Sequence, residues 1–404
     1  MRLADDPPAA QWRAVRPRAS RGPRVALFTG NYNYVKEGAN QALNLLADHV
    51  EQKLEGAVRA YSPVTATPAF APSGTLVPVP SVPLPGRSEF RLALHLPRAI
   101  RRDVRAFAPD LVHVATPDIL GRRAQAFAGQ LGLPIVASLH TRFETYLGHY
   151  GLGWLRGTAE RYLDRFYGRS DLILVPTVAI AADMAARHGA RKVRLWSRGV
   201  DVDLYTPARR SMPWRRDQGI AADEIALLFF GRLVLEKGTE RFAEIVNALE
   251  AAGYCVRALI VGEGPARARL AAALPSAVFT GHLVGLPLAT AIASADILIN
   301  PSLTETFGNV NLEAMASGLP IVAADVPSVT NLVRNEHEAL LCGEATHHYI
   351  AQAGRLLRDP ALRDSLARAA RAAALPWRWE DALNGVTDAY AELLASFDAA
   401  RLRT

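Results

Sequence analysis

Cysteine is scarce in this chain, at Cys255 and Cys342 alone. Two thiols make no disulfide framework, and neither has the neighbours of a metal-binding spacing, so a reducing cytoplasm is the expectation. No apolar run reaches the roughly 18 residues of a membrane span. The most apolar stretch, DLILVPTVAIAADMAA, is broken by Pro176 and Asp183. The opening MRLADDPPAAQWRAVRPRASRGP lacks the apolar core of a secretory leader and reads as a disordered basic tail over residues 1–23. No short-period repeat or low-complexity tract is present. Also missing is the interleaving of aromatic and basic residues that marks a nucleic-acid binder, so no nucleic-acid partner is expected. A third glycine is absent from VGEGPARARL, where Arg267 takes its place. The G-x-G-x-x-G fingerprint is therefore incomplete, and a dinucleotide oxidoreductase is disfavoured.

What is present is globular: 404 residues, half of them hydrophobic, too many for one ordinary core. Residues 1–200 carry 27 Lys and Arg against 15 Asp and Glu, a balance of +12; the rest of the chain carries −5. A basic first half points to an anionic surface or ligand there. Short apolar runs alternate with Ala- and Arg-rich stretches of helical spacing. RVALFTG, DLVHVATP, PIVASLH, DLILVPT and KVRLWSRG come first; IALLFFGRL, VRALIVGEG, AVFTGHL, DILINPS, PIVAADV and ALLCG follow. Runs apolar on both faces suit parallel strands covered by helices, so the chain is α/β with a doubly wound, Rossmann-like domain in each half. The break falls near 203–222, a stretch rich in proline and arginine without a strand pattern. Residues 61–86, with seven prolines, read as a long loop. Helices close the chain, with a breaker at Pro376.

The most telling stretch is SLTETFGNVNLEAMASGLPIVAAD, Ser302 to Asp325. DILINPS is a strand ending near Ser302. A helix starts at Gly308 or Asn309 and stops at Gly318, a natural C′ residue. Glu305 then lies in the loop at the carboxyl end of a strand, and Glu313 about one turn into the helix. Between them sits the helix N-terminus, an anion site that Gly308 leaves open to a ligand. The pair brackets that site, as a molecule with hydroxyls at both ends and phosphates between would require. A nucleotide sugar has that layout. Either glutamate alone is equally well a solvated acid or a partner of the helix dipole.

FFGRLVLEKGTERF follows the first strand of the second half, and Arg232 and Lys237 flank its loop. Two fixed cations there could neutralise a leaving diphosphate without a metal. LFTGNYNYVKEGANQAL is another strand, glycine loop and helix, with Gly30 and Gly38. His140 ends the strand PIVASLH, a place that faces the crevice in such a fold.

Glu305 and Glu313, with seven residues between them, resemble the E-x7-E signature of the family-four retaining glycosyltransferases of GT-B architecture. GRLVLEKG resembles that family's cationic loop, and VGEGP, FTGHL and EAMASGLPIVAAD fall in family order after it. HTRFETYLGHYGLG and LWSRGVDVDLYTP are similar to those transferring mannosyl, glucosyl or sulfoquinovosyl groups to lipids or lipid-linked glycans. The resemblance runs from about Arg24 to the C-terminus, strongest over 195–325 and loose over 50–100. It implies two Rossmann-like domains facing across a cleft: an acceptor-side domain over 24–203, a nucleotide-sugar domain over 204–375, and a C-terminal segment, 376–404, crossing back to the first.

The resemblance also implies roles. Glu305 holds hydroxyls of the donor hexose, His140 contacts that sugar, and Glu313 holds the ribose. Arg232 and Lys237 hold the diphosphate, with backbone amides at Phe307, Gly308 and Asn309. Gly38 lets the first domain close on the phosphates. Glu263, Gly264 and Pro265, with Gly281, His282 and Leu283, line the base and ribose pocket. A donor phosphate oxygen takes the acceptor's proton in same-face attack, so no enzymic nucleophile, cofactor or metal is expected. Asp201-Val202-Asp203 is a D-x-D, but turn chemistry explains it better than a metal. Arg198 stands where many relatives carry asparagine.

Arg98, Arg101, Arg102 and Arg105 recur at helical spacing on one face, which suits an anionic bilayer and equally a solvated arginine-rich face; the basic first half favours the bilayer. The combined expectation is a metal-independent hexosyltransferase, peripheral on the inner membrane face, taking GDP-mannose or a UDP-hexose and a lipid or lipid-linked acceptor. A soluble sugar acceptor and a sugar-nucleotide epimerase are the alternatives.

Overall fold

The computed structural model describes residues 22–35, 38–84, 87–140, 154 and 156–402. The basic tail up to residue 21 and the stretch HTRFETYLGHYGLG beyond His140 lie outside them. The described residues fall into two compact units. One comprises 22–140, 156–196 and the residues from Leu383 on; the other comprises Ser197–Ala382 with Trp154.

In the first unit the strands are β1 (Arg24–Phe28), β2 (Ala57–Ser62), β3 (Thr75–Pro78), β4 (Val82–Leu84), β5 (Arg87–Leu92), β6 (Leu111–Val114), β7 (Ile135–Ser138), β8 (Leu172–Val175) and β9 (Val193–Leu195). Seven of them form one parallel sheet in the order β3-β2-β1-β6-β7-β8-β9, and β4 and β5 pair as an antiparallel hairpin. Every residue of β6, β7 and β8 is buried, because helices cover both faces of the sheet. Asp118 and Thr177 cap the helices Ile119–Gln130 and Val178–His188, accepting from Gly121 N and Ile180 N.

The second unit contains β10 (Ile225–Phe230), β11 (Val256–Val261), β12 (Val278–Gly281), β13 (Ile297–Asn300), β14 (Ile321–Ala324) and β15 (Ala339–Cys342). They form a six-stranded sheet ordered β12-β11-β10-β13-β14-β15, parallel throughout. The chain winds outward from β10 to β12, then returns to the other side of β10 and winds outward again. The strand order thus reverses between β10 and β13, as it does between β1 and β6 in the first unit. Apolar cores lie on both faces of the sheet, one around Leu228, Leu298 and Ile321, the other around Leu227, Ile299 and Val322.

Three expectations need correction. Residues 61–86 are not one long loop: they hold β3 and β4. Pro78 is tolerated because β3 is an edge strand, whose outer side needs no donor. The first unit ends at Trp196, before residue 203, because Val200, Val202 and Tyr205 sink into the second unit's core. Likewise Trp377 belongs to that core, packing on Phe307 with ring centroids 5.6 Å apart and edge to face. The last helix, Trp379–Arg401, is counted with the first unit only from Leu383.

Candidate active site

Open α/β sheets bind ligands at the carboxyl ends of the strands where the strand order reverses. In the second unit that place lies between the loops that follow β10 and β13. The first loop carries Arg232 and Lys237; the second carries Glu305 and leads into the helix Asn309–Ala316. The two loops are bound together. Ser302 Oγ and Thr304 Oγ1 both donate to the Glu236 carbonyl, at 3.3 and 3.1 Å. Gly238, with φ 75°, lies against Pro301 so closely that a Cβ there would stand 3.0 Å from the proline ring. This stitching brings Lys237 Nζ to 2.6 Å from Glu305 Oε1, with the carboxylate the more buried partner.

Gly308 precedes the helix with φ 85° and no side chain to cap it. The amides of Asn309 and Val310 find no acceptor among the described residues, as the first turn of a helix dictates. The turn is held from beneath: Asn300 Nδ2 donates to Asn311 Oδ1 at 2.9 Å, and Asn300 Oδ1 accepts from Ser302 N at 3.2 Å. Asn311 is fully buried, and its Nδ2 has no acceptor among the described residues. Positive potential from the helix end and from Lys237 therefore meets a carboxylate at one point.

Other anticipated residues divide between this place and packing. Glu313 is half-buried on the first turns of the helix, and its charge helps burial raise the Tyr205 phenol. Arg232 is half-buried in the β10 loop. The Phe307 side chain is buried against Trp377, so only its backbone can serve a ligand. Gly264 is required by packing: a Cβ would fall 2.4 Å from the Leu233 carbonyl oxygen, and Ala266 N donates to that same oxygen at 2.9 Å. Glu263 is exposed and pairs with Arg267 at 3.3 Å. Pro265 and His282 are exposed, while Leu283 packs on the core. Asp201 Oδ1 accepts from the amides of Asp203 and Leu204, at 3.1 and 2.9 Å, which is an Asx turn. Arg198 is buried, and burial lowers its guanidinium to about 10.

In the first unit the reversal lies between β1 and β6. Gly30 N donates to Thr116 Oγ1 at 3.0 Å, and Tyr34 OH donates to the Gly30 carbonyl at 2.7 Å. The described start of this glycine loop, residues 30–35, is thus laced down. Gly38 opens the helix Gly38–Leu54 that follows. Beyond β6, burial raises the Asp118 carboxyl to about 6 against the amide hydrogen bonds that lower it. His140 stands just past β7, half-buried, its Nε2 2.9 Å from Ser138 Oγ and its ring edge-on to Trp196 at 4.9 Å. The arginine stripe is split. Arg98 and Arg102 are exposed, whereas Arg101 and Arg105 lie over the Phe127 ring at 5.8 and 5.3 Å.

Sequence reading passed over Glu236, Asn300, Ser302 and Asn311, and also His113, Ser138 and Tyr390. Most had a signal in common: a polar residue set into or just after an apolar strand run.

Known proteins share this fold. Residues 37–204 match the family described as Glycosyltransferase Family 4, and 224–359 match Glycosyl transferases group 1. A GDP-mannose-dependent alpha-mannosyltransferase of Mycobacterium tuberculosis is 34% identical over 304 residues, covering 75% of this chain and 76% of that protein. The sulfoquinovosyl transferase of Arabidopsis thaliana is 32% identical over 312 residues; the match spans 75% of this chain and 60% of the plant protein. Among solved structures, sucrose-phosphate synthase of Thermosynechococcus elongatus superimposes with a TM-score of 0.77 at 19% identity, over 93% of this chain and 100% of that one. The chain belongs to glycosyltransferase family 4 and has the GT-B fold.

Proposed function

We propose that this chain is a retaining hexosyltransferase that takes GDP-mannose or a UDP-hexose and glycosylates a lipid or lipid-linked acceptor. The observation that carries the reading is the Lys237–Glu305 pair at 2.6 Å, set at the strand-order reversal beside the N-terminus of the helix Asn309–Ala316. A sugar–phosphate junction needs a hydroxyl acceptor and a phosphate donor side by side, and this pair with the helix amides supplies both. Glu305 grips the hexose, and Glu313 the ribose. Lys237, Arg232 and the amides at 308–310 stabilise the diphosphate as the glycosidic C–O bond breaks. The acceptor hydroxyl attacks the same face that the diphosphate leaves, and its proton passes to a donor phosphate oxygen. The two fixed cations offset the leaving charge, so no metal is assigned to the step. His140 contacts the transferred hexose. The sulfoquinovosyl and mannosyl names of the relatives favour these donors, and exposed Arg98 and Arg102 favour an acceptor held at an anionic membrane surface on the cytoplasmic side.

The test compares UDP and GDP by thermal shift without added metal. A nucleotide at 100 times its Kd stabilises by about 2.7 kcal/mol. A shift with GDP alone points to GDP-mannose as the donor; a shift with UDP alone points to a UDP-hexose. Glu305→Ala is expected to abolish transfer while keeping the nucleotide shift. Full transfer by that variant, or no shift with either nucleotide, overturns the reading.

A further inference from the structure

His113 lies in the middle of β6 and is fully buried. Its Nδ1 is 2.6 Å from the hydroxyl of Tyr390, on the last helix, and its Nε2 is 2.8 Å from Ser138 Oγ on β7. The same Ser138 Oγ lies 2.9 Å from His140 Nε2. Four side chains from three distant parts of the sequence thus form one continuous line, ending at the histidine that the proposed function places on the hexose. The Trp196 ring packs on both imidazoles, 5.8 Å from His113 and 4.9 Å from His140, and fixes their planes.

The direction of this line follows from its buried end. Burial drives His113 down to about 3, so it is a neutral imidazole with one N–H donor and one acceptor nitrogen. Tyr390 is fully buried, and burial raises its phenol, so it keeps its proton. Its hydroxyl has one partner among the described residues, the Nδ1 of His113. If His113 donated from Nδ1, the phenolic proton would be a buried donor without an acceptor, a costly arrangement. Tyr390 therefore donates to Nδ1, His113 Nε2–H donates to Ser138, and Ser138 donates to His140 Nε2. Each bond polarises the next.

We propose that Tyr390, His113 and Ser138 are positioning residues that hold His140 as the tautomer protonated on Nδ1, with that N–H as its donor edge toward the hexose. This rests on the role given to His140 above. The line ties that donor edge to the last helix, the element that returns to the first unit at Leu383.

The measurement is nitrogen NMR of the full chain labelled with 15N-histidine, its signals assigned with His113→Gln and His140→Gln variants. His140 is expected to show a protonated Nδ1 and a bare Nε2, and His113 the reverse. A protonated Nε2 on His140 would overturn the proposal. Ser138→Ala is expected to turn the His140 signature into a tautomer mixture and to lower kcat about tenfold, with KM for the nucleotide sugar nearly unchanged. Tyr390→Phe, which keeps the ring, is expected to lower kcat about threefold. A fall in Tm alone, with kcat and the signature intact in both variants, would make the line mere packing and overturn its positioning role. Full transfer by His140→Gln would overturn the hexose contact and the function given to the line, while nucleotide shifts and the Glu305 variant still decide the proposed reaction.

Discussion

His113 folds as a neutral base between two hydroxyls, with no charge to favour its protonated form. Its folded pKa of about 3 lies below the ordinary 6.5, so between those values the unfolded chain binds the proton and the folded chain does not. Stability contributed here is complete above pH 6.5 and falls as pH falls, by about 1.4 kcal/mol per pH unit inside that window. Urea unfolding should therefore show the natural chain losing about 1 kcal/mol more between pH 6.5 and 5.5 than the His113→Gln variant does, because the slope is only half developed at pH 6.5. Equal slopes would mean that His113 charges in the folded state. At the same scale, Glu305 and Lys237 were legible in the sequence as separate signals, a carboxylate after one strand and a cation after another. Their contact was not, because the pair spans sixty-eight residues and is made by the carbonyl of Glu236 taking bonds from the other loop.

Among the elements, the helix Asn309–Ala316 shows how much punctuation alone can fix. Its end follows from Gly318: with φ 72°, Gly318 N donates to the Met315 carbonyl and Leu319 N to the Ala314 carbonyl, at 2.9 and 3.0 Å, a Schellman motif. Its start follows from Gly308, whose φ of 85° is costly for any residue with a Cβ and whose Cβ would stand 2.9 Å from Asn311 Nδ2. Gly308→Ala is expected to destabilise the chain by about 1–2 kcal/mol in urea unfolding and to weaken nucleoside diphosphate binding as the loop shifts. An unchanged affinity would remove this turn from the phosphate site. By contrast β2 and β3 were not legible: Arg59 and Ser62 interrupt β2, and Pro78 closes β3. These strands are held by tertiary partners, as when Arg59 and Tyr61 both bind Asp103, at 3.0 and 2.9 Å.

For the whole molecule, charge is the property that sequence and structure share. The first half is basic, and Arg98 and Arg102 are exposed on one helix, while Arg101 and Arg105 are spent on Phe127. The proposed membrane contact would therefore draw on fewer arginines than the helical spacing suggested. Sedimentation with phosphatidylserine or phosphatidylglycerol vesicles is expected to show binding that weakens with salt. Arg98→Glu with Arg102→Glu should lower it by more than tenfold, at about 1 kcal/mol for each basic residue lost. Binding that ignores both salt and the double variant would set the lipid surface aside. No helix among the described residues is long and apolar enough to cross a bilayer.

Sequence alone determined the α/β class, the eleven strands read as apolar runs, the family and the order of the charged loops. These are local facts: period, glycine and proline punctuation, and residue type at a strand's end. Tertiary structure decided which loops meet. Strand order, set by how two sheets bury their faces, puts β10 beside β13 and so closes Lys237 on Glu305. The same burial sets His113 beside a tyrosine 277 residues away. No spacing rule reaches that far, because such contacts come from sheet order and helix return, and the sequence writes neither as a pattern.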